Sequence, residues 1–306
     1  MYLPNPVKWS AMSAYLNGQS RGAAALRELL AANEPILAPG AYDALSARLI
    51  EAAGFTAVYM TGFGTAASLL GRPDVGLLGM SEMVGNARRI VEAVGVPVIA
   101  DADTGYGNPI NVIRTVHEYE RAGVAAIHIE DQVAPKKCGH MEGKQLIPGD
   151  EMAMKIKAGV AARRSDLVLI ARTDARAVEG LDGALRRARL YADAGADVIF
   201  FEAPQSETEV ETVARELAGV PLLFNWAEGG KTPPIGYARL RELGFRIIIF
   251  PISALLAATR GVQWVLETIR HDGTPTAALS GLPRFGEFLD FIGLPEIREL
   301  EQRFVS

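Results

Sequence analysis

Cys138 is the sole cysteine of the 306-residue chain, and it stands in the run Lys136-Lys137-Cys138-Gly139-His140. Positive neighbours lower a thiol's pKa and favour the thiolate, which makes this a group able to exchange a proton. A lone cysteine is otherwise an inert buried hydrophobe, but a stretch rich in lysine, glycine and glutamate does not read as core. The segment from Glu130 to Lys144 reads instead as a mobile lid that carries a proton donor to a site when it closes.

Carboxylates form the second reactive group. Asp101 and Asp103 lie two apart in DADTGYG, so they are expected to project on one side of an extended strand end. Glu130, and Asp74 from GRPDVG, bring the set to four. Like charges held that close raise each other's pKa unless a cation neutralises them. An all-oxygen set selects a hard cation, Mg²⁺ or Mn²⁺, over zinc. Asp also serves in plain capping and turns, and Gly-Tyr-Gly alone is a weak phosphate-loop signal. A CxxC zinc arrangement is absent, and no predicted strand is followed by the G-x-S-x-G elbow of a serine hydrolase.

These residues need elements to position them. Eight short apolar runs begin at Ile36, Ala57, Val96, Ala125, Leu167, Val198, Pro221 and Arg246. Each is near-continuous, as expected of parallel strands covered on both faces. Segments such as DALSARLIEAAG and IRTVHEYERAG lie between them, with apolar residues at three- and four-residue spacing and a terminal Gly. Eight such units in series predict a single α/β domain over residues 1–306, a (β/α)8 TIM-type barrel; an open doubly wound sheet is the rival. Polar groups end most of the strands: Thr61-Gly62, Asp101 and Asp103, Glu130 and Asp131, Arg172-Thr173-Asp174, Glu202, and Asn225. In a barrel all of them face one mouth, where catalytic side chains gather.

Residues 1–34 read as an N-terminal helical extension and 253–306 as C-terminal helices, the last part being two short helices separated at Gly-Leu-Pro. Those appendages either cap the barrel or pack on a neighbouring subunit. The net charge of −5 and pI near 5.5 give no general attraction to nucleic acid or to an anionic membrane. No apolar run is long enough to span a membrane and no signal peptide is visible, so a soluble, cytoplasmic protein is expected.

The ordered set DADTGYG, IEDQ…KKCGH and ARTDA, each on its predicted strand, resembles the isocitrate lyase/phosphoenolpyruvate mutase superfamily across roughly residues 20–306. The KKCGH loop and the GGKTP of Gly229–Pro233 are most similar to its short-chain lyase branch. The resemblance implies a barrel whose eighth helix swaps between subunits of a homotetramer, a dimer of dimers. It implies Mg²⁺ bound directly by Asp101, with Asp74, Asp103 and Glu130 acting largely through water. It places Tyr59, Thr61, Gly62 and Phe63 at the substrate carboxylate, Arg172 as a carboxylate binder, and Glu202 and Asn225 as the rest of the pocket. Lys136, Cys138, Gly139 and His140 match the lid motif, and Lys136 or a cluster carboxylate is the implied base. The expected reaction is cleavage of a small 2-hydroxy dicarboxylate, a substituted malate or methylisocitrate, with Cys138 as proton donor. Alternatives are hydrolysis or decarboxylation of oxaloacetate, C–P bond chemistry, and a non-catalytic dicarboxylate binder. In oxaloacetate hydrolases a hydroxyl side chain tends to stand near Pro233.

Overall fold

The eight apolar runs become eight parallel strands that close on themselves in chain order. They are β1 (Ile36–Ala41), β2 (Val58–Met60), β3 (Val98–Asp101), β4 (Ala126–Glu130), β5 (Val168–Thr173), β6 (Val198–Phe201), β7 (Leu222–Asn225) and β8 (Phe245–Phe250). The structure is a computed structural model that describes residues 22–32, 34–139 and 141–305. Closure is made by β8 against β1, with Ile36 opposite Ile247 and Ala38 opposite Ile249. Every residue of β2 through β7 is buried, the condition that makes these strands read as unbroken apolar runs.

Twelve α-helices accompany the strands among the described residues: α1 (Gly22–Ala31), α2 (Ala44–Ala52), α3 (Gly62–Leu70), α4 (Met80–Ala93), α5 (Pro109–Arg121), α6 (Gly149–Ala162), α7 (Arg176–Asp193), α8 (Glu207–Glu216), α9 (Tyr237–Glu242), α10 (Ser253–Asp272), α11 (Phe285–Phe291) and α12 (Leu294–Phe304). Their starts follow local chemistry. Asp43 and Ser46 cap α2 reciprocally, and Asn108 caps α5 ahead of Pro109. Helix α3 has no counterpart in the sequence reading. Its GFGTAASLL is small and apolar all round, without the polar face that reveals a helix.

One apolar layer fills the space between strands and helices, and a second fills the barrel, where Ile36, Ile99, Ile170, Phe200 and Ile247 meet. Leu26 of α1 joins the inner layer and is fully buried, worth roughly 1.5–3 kcal/mol. Arg27 fixes α1 across the N-terminal end of the barrel by bonding Asp166 O and Asp197, just ahead of β5 and β6. The other end is left open for a site. Helices α11 and α12 part at Gly293-Leu294-Pro295, as the sequence suggests. Helix α10 has no buried residue, and Val262 and Leu266 are each 58 % exposed.

Candidate active site

The strand ends deliver their polar groups to one cavity of about 250 Å³. Tyr59, Thr61, Phe63, Asp74, Asp101, Cys138, Gly139, Arg172, Glu202 and Asn225 all line it. At the end of β2, Thr61 caps α3 by accepting from Gly64 N. Gly62 N donates to Asp101 Oδ2 at 3.2 Å, and a Cβ on Gly62 would lie 2.3 Å from that oxygen. Only glycine allows so close an approach.

Asp101 ends β3 and its carbonyl accepts from Tyr119 Oη at 2.9 Å. Asp103 reaches the cluster by a route the alternation of a strand does not describe. The strand stops at Asp101, Asp103 takes φ 47°, and its N–H donates to Asp101 Oδ1 at 2.9 Å. The turn turns both carboxylates inward, not the pleat.

Lys136 stands among these acids. Its Nζ lies 2.5 Å from Asp74 Oδ2 and 3.0 Å from Asp103 Oδ1, and the residue is 4 % exposed. Burial would lower its pKa, but Asp103, Asp101, Glu130 and Asp74 outweigh that and hold the ammonium well above the usual lysine range. In this arrangement Lys136 is a cation paired with Asp74 and Asp103. Around it, burial pushes Asp103 up to about 6, with Asp101 and Asp74 adding to the rise. Burial also drives Glu130 well above the carboxylate range. Asp101 is held below that range because His128, Lys136 and Arg172 outweigh its burial. Glu130 Oε2 makes no hydrogen bond among the described residues, though it lies 3.3 Å from Arg172 Nε.

Asp103 and Glu130, which burial pushes toward neutrality, join Asp74 and Asp101 in an acidic donor set. All its donors are hard oxygens, so Asp74, Asp101, Asp103 and Glu130 fit a hard divalent cation. Among the described residues no group of three or more His, Cys, Asp or Glu is arranged to hold a metal directly.

Opposite the acids, β5 presents Arg172. Its Nε and Nη2 donate to Asp174 at 2.9 and 3.1 Å, and its guanidinium lies 4.9 Å from the Phe200 ring centroid. Glu202 Oε2 is 3.4 Å from Nη2 and accepts from Asn225 Nδ2 at 3.2 Å. Tyr59 Oη lies 2.9 Å from His128 Nε2 inside the barrel, and burial lowers His128 to about 4, so the ring is neutral at neutral pH.

The expected lid is packed down in this structure. Gln132 and Leu146 form an antiparallel bridge at its base, and the Gln132 side chain both donates to Lys137 O and accepts from Lys137 N. Lys136 hooks it to Asp74, and Lys144 reaches Asp174 at 2.8 Å and Gly139 O. Its charge misled the sequence reading: Lys136 and Lys144 are buried because each meets a carboxylate. Cys138 is half-buried on the cavity wall. His140 lies outside the described residues.

Lys144, His128 and Gln132 carry no site role in the sequence analysis, and Asp174 enters it only as a strand-end polar group. A histidine inside the apolar run AAIHI is a signal that could have marked His128. Lys144 has none, since its partner lies 30 residues on, just past the end of β5.

Residues 26–270 match the sequence model of the phosphoenolpyruvate phosphomutase family. The chain is 49 % identical to 2,3-dimethylmalate lyase of Eubacterium barkeri over 285 residues, 93 % of this chain and 98 % of that protein. It superposes on oxaloacetate acetylhydrolase in complex with 3,3-difluorooxalacetate with a TM-score of 0.88 and 40 % identity, covering 94 % of this chain and 98 % of that one. Phosphonopyruvate hydrolase in complex with oxalate and Mg²⁺ gives a TM-score of 0.85 and 34 % identity, covering 93 % and 99 %.

Proposed function

The chain belongs to the phosphoenolpyruvate phosphomutase family, and from that premise we propose that it is a carbon–carbon lyase acting on a malate-like 2-hydroxy dicarboxylate. The observation that carries the reading is the presence of Cys138 on the wall of the cavity that also holds Arg172 and Asp101. A binder of dicarboxylates needs the cation sites and has no use for a proton donor beside them.

Arg172 takes a substrate carboxylate, its guanidinium already oriented by Asp174. Thr61 and Gly62, at the start of α3, bring the positive end of that helix to the same pole. Tyr59 and Phe63 wall that pole, while Glu202, Asn225 and Gly139 complete the pocket. A Mg²⁺ or Mn²⁺ ion, held by Asp101 with Asp74, Asp103 and Glu130 around it, would supply stabilisation of negative charge developing on the 2-oxo fragment. A base, Lys136 or a residue of the carboxylate cluster, removes the hydroxyl proton. The C–C bond then breaks, its electron pair passing to the carbon next to the departing carboxylate. Cys138 gives that carbon its thiol proton and takes one back from solvent. The products are a 2-oxo acid and a saturated carboxylate.

The assembly belongs to the same proposal. Helix α10 lacks any buried residue, which supports a homotetramer in which a neighbouring subunit covers it. A cytoplasmic location is in keeping with a single cysteine and no disulfide framework. No helix among the described residues is long and apolar enough to cross a membrane.

The test, with Mg²⁺, is release of 2-oxo acid from a panel of substituted malates, methylisocitrate and isocitrate, and release of acetate and oxalate from oxaloacetate. Cleavage of a hydroxy dicarboxylate is expected. Turnover of oxaloacetate alone, the second reading that the similarity to oxaloacetate acetylhydrolase supports, would replace it.

A further inference from the structure

Lys144 and Asp174 are buried charges at the mouth that do not line the cavity. Asp174 takes both hydrogen bonds that fix Arg172, from Nε at 2.9 Å and Nη2 at 3.1 Å. The same carboxylate accepts from Lys144 Nζ at 2.8 Å. Lys144 Nζ donates in turn to Gly139 O, in the loop that carries Cys138. Gly139 lies so close over the pocket that a Cβ there would stand 2.4 Å from Arg172 Nη2 and 2.7 Å from the Glu202 carboxyl carbon.

Asp174 is itself held from behind. Its N–H donates to Asp131 Oδ1 at 2.9 Å, and Asp131 Oδ2 accepts from Thr173 and Tyr191 at 2.8 Å each. A buried carboxylate with two cationic partners and an anchored backbone has little freedom. If the loop lifted, Lys144 would leave with it, and Asp174 would lose one of the two cations that set its position.

We propose that Lys144 and Asp174 are positioning residues that couple closure of the 132–146 loop to the orientation of Arg172. The carboxylate-binding cation and the Cys138 thiol are then placed together. The proposal rests on the reading that Arg172 binds substrate and Cys138 donates the proton.

The test compares wild type, Lys144→Met and Lys144→Arg as full chains. Hydrogen exchange of amides 132–146 should quicken about tenfold in Lys144→Met, the scale of one charged hydrogen bond, while β3 and β6 are unchanged. Oxalate, a small dicarboxylate probe, should bind the Mg²⁺-loaded variant about tenfold more weakly by calorimetry, although Lys144 does not touch the cavity. Turnover should fall about a hundredfold, through misplaced groups, with a smaller change in KM. Lys144→Arg, which keeps the charge, should recover most of each loss.

Loop exchange and oxalate affinity that both stay at wild-type values in Lys144→Met overturn the proposal. So does a change in one without the other. If Lys144→Met does not fold, the isosteric Asp174→Asn is read in the same way, with the same two outcomes. Should wild type cleave no hydroxy dicarboxylate while loop and oxalate still respond together, the coupling stands and only the lyase reading falls.

Discussion

Lys136 Nζ lies 2.5 Å from Asp74 Oδ2, a contact across 62 residues that ties the loop after β4 to the loop between α3 and α4. With Asp103 at 3.0 Å from the same nitrogen, the ammonium is an internal counter-cation for a buried acidic cluster. One lysine therefore does two things at once. It neutralises acids that would otherwise repel each other, and it draws the Cys138 loop down over them, since Cys138 N–H donates to Asp74 O at 3.2 Å.

Lys136→Met should expose that dependence. Removing one partner of a buried ion pair costs roughly 3–5 kcal/mol because the other charge stays buried and unpaired. The variant should lose stability of that order in EDTA, and Mg²⁺ should restore more of it than it adds to wild type. Urea unfolding with and without Mg²⁺ measures both. A variant as stable as wild type in EDTA would show that the cluster needs no internal cation.

Asp174 sets the acid limit of the site. Burial opposes its charge, yet Arg172 and Lys144 hold it down at about 2, against about 3.9 in an unfolded chain. Between those values the unfolded chain takes up a proton that the folded one does not, so its contribution to stability is whole above pH about 4 and is lost as pH falls toward 2. The contribution is about 2 kcal/mol at neutral pH. The stability gap between wild type and Asp174→Asn should thus narrow between pH 4 and 2 and be flat from 5 to 7. Urea unfolding across that range checks it; a gap independent of pH removes the ion pairing as the cause.

The barrel is legible in the sequence because burial on both faces leaves a plain trace, an apolar run too short for a helix and bounded by Gly or charge. Thr61, Asp101, Glu130, Arg172, Glu202 and Asn225 are legible for a related reason: a polar residue ending such a run has one place to go. The pairings are not. Tyr59 meets His128, Lys136 meets Asp74 and Lys144 meets Asp174 only because successive strands pair side by side, and that pairing leaves no period in the chain. Asp103 shows a different failure. Spacing of two suggests strand alternation, but the strand has already ended and a left-handed turn does the aiming.

Helix α10 makes a claim about assembly. Val262 and Leu266 lie exposed on a 20-residue helix with no buried residue, more apolar surface than a free helix leaves in water. Val262→Arg with Leu266→Arg should leave the barrel folded by circular dichroism and reduce the mass seen by light scattering. A wild-type chain that is monomeric at micromolar concentration would contradict the proposed tetramer.

Cys138→Ser tests the chemistry most directly. The serine hydroxyl is close in size to the thiol and far less acidic, so it fills the cavity wall without giving up its proton as readily. Turnover should fall by roughly 10²–10⁴-fold, the usual share of general acid catalysis, while oxalate affinity changes little because Arg172 and Asp101 are untouched. Iodoacetamide should inactivate wild type by alkylating its sole cysteine, and bound oxalate should slow that loss by filling the cavity the thiol lines. The limb of the pH–rate profile that requires a protonated donor should vanish in the Ser variant. If Cys138→Ser keeps near-full lyase activity, the thiol is only part of the wall, and the proton reaches the carbanion from another group or from water.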